Sequence, residues 1–169
     1  MTVLGIDPGL ANTGYGVVRR EGGLLRALDG GVIETPAHMP AERRLVAIHE
    51  RMSALLDEHR CDAVALEQLY FGGNARSAFA VGQARGVCML AAGQRGISCA
   101  SYTPQQIKAA VCGHGGASKG QVARMVGALL SLQHPPAADH ASDALAVALC
   151  HINSAPLARA LERVGMPSR

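Results

Sequence analysis

The stretch Thr2-Val3-Leu4-Gly5-Ile6-Asp7-Pro8-Gly9 opens the chain with an apolar run that stops on a carboxylate and a turn dipeptide. Such a run reads as a short strand, and the Pro-Gly pair as the turn that ends it. Working outward, Gly14 to Val18 and Leu24 to Ile33 read as two more strands, joined through Glu21-Gly22-Gly23. Three consecutive strands with short links make an antiparallel meander. From Ala41 the period changes: Leu45, Ile48, Met52, Leu55 and Leu56 recur at helical spacing, with charges on the other face, to about Arg60. Ala63 to Leu66 is again a short buried strand, and Glu67 stands at its end.

An Ala- and Gly-rich helix is expected from about Asn74 to Gln94, and a fifth strand from Ile97 to Tyr102. Thr103-Pro104-Gln105-Gln106 and Ser118-Lys119-Gly120-Gln121 each place a glutamine three residues after a hydroxyl cap. Each therefore opens a helix, the second running to about Leu132. Pro135 and Pro136 stop the chain before a last helix, Ala138 to about Asn153, and residues 154–169 read as a loosely held tail. The order β-β-β-α-β-α-β-α-α-α predicts an α/β domain over residues 1–153. It should be one five-stranded mixed sheet flanked by helices on both faces.

A chain of 169 residues fits one domain, and 49% apolar against 17% charged residues excludes a disordered chain. Aromatics are 3% with no Trp, so the core must be aliphatic. The five cysteines form no C-x-x-C pair and no zinc spacing, and read as buried reduced thiols. Neither a signal peptide nor an uncharged apolar run near the roughly 20 residues of a membrane span is present, so a soluble cytoplasmic protein without membrane partners is expected.

The net charge of +3 says less than its distribution. Between Glu67 and Asp139 no acidic residue occurs, while Arg76, Arg85, Arg95, Lys108, Lys119 and Arg124 all fall there, including both lysines of the protein. Such an interval is either a face neutralised from elsewhere in the fold or a surface that meets phosphates.

Asp7 and Glu67 each end an apolar strand. If those strands are adjacent and parallel, both carboxylates emerge at the carboxyl edge, where open α/β sheets place ligands. Two close carboxylates repel, and a divalent cation relieves that repulsion. Asp139-His140-Ala141-Ser142-Asp143 then precedes the apolar run Ala144 to Leu149. His140 and Asp143 share a helix face, and so do Asp139 and Asp143, so spacing leaves open which residue acts beside Asp143. Capping of strands and of the helix dipole is the plainer role for these acids. The glycine-rich Gly113 to Gly120 segment lacks the G-x-x-x-x-G-K-[ST] spacing and follows a helix, which argues against nucleotide binding there; His114 within it could approach DNA.

Taken together, Asp7-Pro8-Gly9, Thr13-Gly14-Tyr15-Gly16-Val17-Val18, Glu67-Gln68, Asn74, Gly82-Gln83-Ala84-Arg85-Gly86, the Lys108 and Lys119 segment and Asp143-Ala144-Leu145-Ala146 resemble the RuvC family of bacterial Holliday junction endonucleases. The resemblance runs from Thr2 to His151. It implies an RNase H-like fold, a homodimer, and symmetric nicking of two strands of like polarity at a four-way DNA junction during recombination and repair. Nicks with 5′-phosphate and 3′-hydroxyl ends would follow. Carried over, the catalytic and metal-binding set is Asp7, Glu67, His140 and Asp143. Where many relatives carry aspartate this chain has His140, and imidazole predicts a preference for Mn²⁺ over Mg²⁺.

Two cations about 3.5–4 Å apart would serve both ends of the in-line displacement. Lys108 and Lys119 match residues that contact the scissile backbone in relatives, with Arg76 and Arg85 extending the track. Tyr70 occupies the place of a base-stacking wedge, with Phe71 the close alternative. The RuvA–RuvB branch-migration complex is the implied partner. Two other classes fit parts of the pattern: a single-lobed ATP-binding protein of the actin and sugar-kinase type, which opens with a similar strand and turn, and a junction-binding module without catalysis.

Overall fold

The computed structural model describes residues 1–68, 75–133 and 139–163, of which 75–77 and 156–163 as backbone only. Its strands are β1 (Thr2–Asp7), β2 (Asn12–Glu21), β3 (Leu24–Glu34), β4 (Ala63–Glu67) and β5 (Ser98–Tyr102). The helices are α1 (Ala41–His59), α2 (Ala75–Gly93), α3 (Pro104–Cys112), α4 (Lys119–Leu129) and α5 (Asp139–Arg163). The sheet order is β3-β2-β1-β4-β5. β1 pairs antiparallel with β2 and parallel with β4, so the meander and the alternating half meet at β1, the central strand.

Strand alternation divides the core. Leu4 and Ile6 of β1, with Val64 and Leu66 of β4, pack against α1 and α2. Val3 of β1 and Ala63 and Ala65 of β4 face the other way, toward α3, α4 and the apolar run of α5. By the same parity Asp7 and Glu67 lie on the α5 face. The low aromatic content shows in the composition of both layers, which are almost wholly aliphatic.

Helix α5 lies unusually close to the central strands. A Cβ added to Gly5 would strike the Ala144 carbonyl oxygen and stand 2.6 Å from the Ala148 amide nitrogen. One added to Gly14 would meet the His140 carbonyl group, with the carbon 2.7 Å away. Glycine is required at both positions because helix backbone fills the space a side chain would need.

Both capping boxes form as expected. Thr103 Oγ1 accepts from the Gln106 amide while the Gln106 side chain accepts from the Thr103 amide, and Ser118 and Gln121 do the same. The last helix departs from expectation, since it continues through Ser154-Ala155-Pro156 to Arg163 instead of stopping near Asn153. Pro156 has no N–H for the Ile152 carbonyl, but the Arg20 guanidinium donates to that oxygen at 3.1 Å and to Asn153 Oδ1 at 2.6 Å. The Ala-, Leu- and Arg-rich sequence beyond then has the propensity to carry the helix on. All five cysteines are free; Cys61, Cys88 and Cys150 are buried as expected, whereas Cys112 is half-buried and Cys99 is exposed on β5, the edge strand of the sheet. No helix among the described residues is long and apolar enough to cross a membrane.

Gly5→Ala should cost ~3 kcal/mol in urea unfolding, at the upper end of overpacking penalties, because the clash is with backbone. Gly127→Ala, on the open side of α4 where an added Cβ meets nothing, should raise stability by about 0.5–1 kcal/mol.

Candidate active site

The parallel register Ile6↔Leu66 brings Asp7 and Glu67 side by side at the carboxyl edge of the sheet. The first turns of α5 descend onto the same edge because Gly14, the ladder partner of Asp7, lets the His140 backbone approach. Residues separated by more than a hundred positions are thus in contact: His140 Nδ1 lies 2.7 Å from Asp7 Oδ2. The start of α4, set by its capping box, completes the site. Lys119, its first residue, places Nζ 3.2 Å from Asp143 Oδ2 and 3.4 Å from Asp139 Oδ2.

A pocket of about 210 Å³ opens between these elements, lined among others by Glu67, Lys108, Lys119 and Asp143. Burial governs its electrostatics, with neighbouring carboxylates adding to the effect. Burial, with the charges of Asp7 and Asp143 added to it, raises the Glu67 carboxyl to about 7, although Lys119 and Lys108 pull the other way. Burial also raises Asp143, opposed by the hydrogen bond and charge of Lys119. The donor set is hard carboxylate oxygen with one imidazole. That chemistry fits Mg²⁺ or Mn²⁺. Among the described residues no three such side chains yet converge on one point, since Asp7 is turned to His140 and Asp143 to Lys119.

The structure therefore brings together Asp7, Glu67, His140 and Asp143, with Lys108 and Lys119 at the rim. It separates the two candidates beside Asp143: His140 is bonded to Asp7, whereas the exposed Asp139 carboxylate pairs, among the described residues, only with Lys119. Tyr70, Phe71 and Asn74 lie outside the described residues. The backbone of Arg76 is in the first turn of α2, and its side chain is outside the description.

Half of the basic interval proves to be neutralised or engaged within the fold. Arg95 makes paired 2.7 Å contacts to Asp57 of α1. Arg85 donates to the Glu67 carbonyl oxygen at 2.7 Å and to Ser101 Oγ, clamping α2 to the ends of β4 and β5. The pairing of Lys119 with Asp143 was not anticipated. Its one sequence signal is a lysine at the first position of a capped helix, where the dipole disfavours a cation.

A family model described as crossover junction endodeoxyribonuclease RuvC matches residues 3–151. The crossover junction endodeoxyribonuclease RuvC of Thermomicrobium roseum is 52% identical over 164 residues, covering 96% of this chain and 99% of that protein. A solved Thermus thermophilus RuvC superposes with a TM-score of 0.87 at 41% identity, over 93% of this chain and 96% of that one. T. thermophilus RuvC in complex with Holliday junction substrate matches with a TM-score of 0.89 at 40% identity over the same shares. At these identities the match shows an RNase H-like fold throughout.

The raised Glu67 carboxyl has a stability consequence. The folded state holds this proton more tightly than the unfolded chain. Its stabilising contribution is complete below the ordinary value of 4.5 and lost as pH rises through about 7. In chelator, Glu67→Gln should therefore gain thermal stability relative to the parent as pH goes from about 5 to about 8. A gap that stays constant across that range would show that Glu67 does not titrate there.

Proposed function

Because the chain belongs to the RuvC family of crossover junction endodeoxyribonucleases, we propose that it cleaves Holliday junctions at the sheet edge where Asp7, Glu67, His140 and Asp143 stand, beside the pocket that Glu67 and Asp143 line. The observation that carries this reading is the meeting of three carboxylates, from β1, β4 and α5, at one sheet edge. The single-lobed ATP-binding alternative accounts for the opening strand and turn alone, whereas the family match spans residues 3–151.

Asp7, Glu67, Asp143 and His140 would hold the divalent cations, two per site in our reading, which when bound offset the charge of the phosphodiester and acidify a bound water. The protein's own groups do the rest. The 2.7 Å contact of Nδ1 with the Asp7 carboxylate favours the tautomer that donates from Nδ1, which would leave Nε2 of His140 as the basic nitrogen, suited to accept a proton from the attacking water. The imidazole also supports a preference for Mn²⁺ over Mg²⁺. Lys108 and Lys119 line the pocket and offer ammonium groups to the scissile backbone. Tyr70 or Phe71, in the segment that follows Glu67, would stack on bases where the junction opens, and Arg76 at the start of α2 would continue the phosphate track. Products with 5′-phosphate and 3′-hydroxyl ends can be resealed.

Symmetric nicking of two strands of like polarity needs two such pockets, hence a homodimer. The outer side of α2 suits a second copy: Phe79 and Leu90 are 70% and 55% exposed, and Gly82 and Gly86 beside them leave open space. The RuvA–RuvB branch-migration complex and a cytoplasmic location complete the reading. One nuclease domain spans residues 1–153, with α5 extending beyond it.

With a mobile four-way junction, the parent protein should make paired, ligatable nicks, faster in Mn²⁺ than in Mg²⁺. Asp7→Asn should lower nicking by about 10³-fold or more while junction binding persists. His140→Ala should slow it about 10²-fold, the scale of a lost proton-transfer group, and Asp139→Asn far less. Full activity in Asp7→Asn would end the proposal.

A further inference from the structure

We propose that Lys119 is an internal counter-ion that occupies the cation position at Asp143 until DNA draws it away, so that divalent-ion loading and junction binding are coupled. The inference rests on reading Asp143 as a metal ligand and adds a competitor from within the chain. A single ammonium lies between two carboxylates, 3.2 Å from Asp143 and 3.4 Å from Asp139. Its place in sequence works against it: Ser118 caps α4, Lys119 is the first helical residue, and a cation there opposes the helix dipole. What holds it is the pair of acids in the first turns of α5. Asp139 thereby acquires a task distinct from that of His140, since it positions the lysine and makes no contact with Asp7 among the described residues.

The Lys119 side chain is 58% exposed, so a backbone phosphate can reach it. A phosphate offers the ammonium the same kind of partner as Asp143 does. Once the lysine transfers, Asp143 is left uncompensated in a pocket already crowded with negative charge, and the affinity for a divalent ion rises. By linkage, the factor by which DNA tightens cation binding equals the factor by which the cation tightens DNA binding. Lys108 is the natural control. It lines the same pocket but makes no ion pair among the described residues.

These are the only two lysines in the chain, so lysine-selective ¹³C labelling yields two side-chain εCH₂ signals. Titration of the DNA-free protein with Mg²⁺ should move the Lys119 signal and leave that of Lys108 nearly in place. By calorimetry, Lys119→Gln should bind Mg²⁺ about fivefold more tightly than the parent, the scale of an ion pair removed, and Lys108→Gln less than about twofold. Equal tightening in the two variants would mean a general field effect and overturn the competition. An unchanged affinity in Lys119→Gln, alongside weakened binding in Asp143→Asn, would overturn it while sparing Asp143 as a ligand. An Asp143→Asn variant with parental affinity would remove both readings.

Discussion

The site depends on how closely α5 rests against β1 and β2. Helix backbone occupies the space where side chains at Gly5 and Gly14 would stand. With ordinary side chains at those two positions the helix would stand further off, and His140 and Asp143 would be held back from the strand ends. The missing Cβ atoms remove that separation along one line. The apolar run from Ala144 to Leu149, fully buried with Val3, Ala63 and Ala65, supplies the energy that holds the helix down. Packing and chemistry are therefore coupled: small residues on the strands, a small and apolar run from Ala144 to Leu149 on the helix, and the acids and imidazole of the site just before that run.

That arrangement concentrates negative charge. Glu67 shows the consequence, with a carboxyl raised to about 7 by burial and by its acidic neighbours. Asp143 is raised by burial too, against the pull of the Lys119 ammonium beside it, while Asp7 is paired with the His140 imidazole. Carboxylates held this close are relieved by a cation, and the two lysines set the same pocket toward a polyanion. The clamp of Arg85 on the Glu67 carbonyl adds rigidity where the strand edge meets α2.

Much of this was legible in the residues. Hydrophobic period separates strands from helices, Thr103 and Ser118 announce two helix starts, and the carboxylates of Asp7 and Glu67 stand out because each ends an apolar strand. The end of α5 was not legible there, because a proline inside a helix signals a stop unless some group elsewhere takes the carbonyl it leaves without a donor. Arg20, far away in sequence, does so. The basic interval was likewise only half interpretable. Its local lack of acids says nothing of Asp57 on α1, which neutralises Arg95.

The order and type of the elements, the strand ends that bear acids and the small residues that permit close packing were determined by the sequence alone, since they follow from local propensity and from periods of 2 and 3.6. Which of Asp139 and His140 meets Asp7, and which lysine meets Asp143, was decided only by tertiary structure. Two residues adjacent on a helix point about 100° apart, and the partner of each depends on where that helix lands on the sheet. That landing is set by contacts summed over the whole α5 interface, which no short window of the sequence contains.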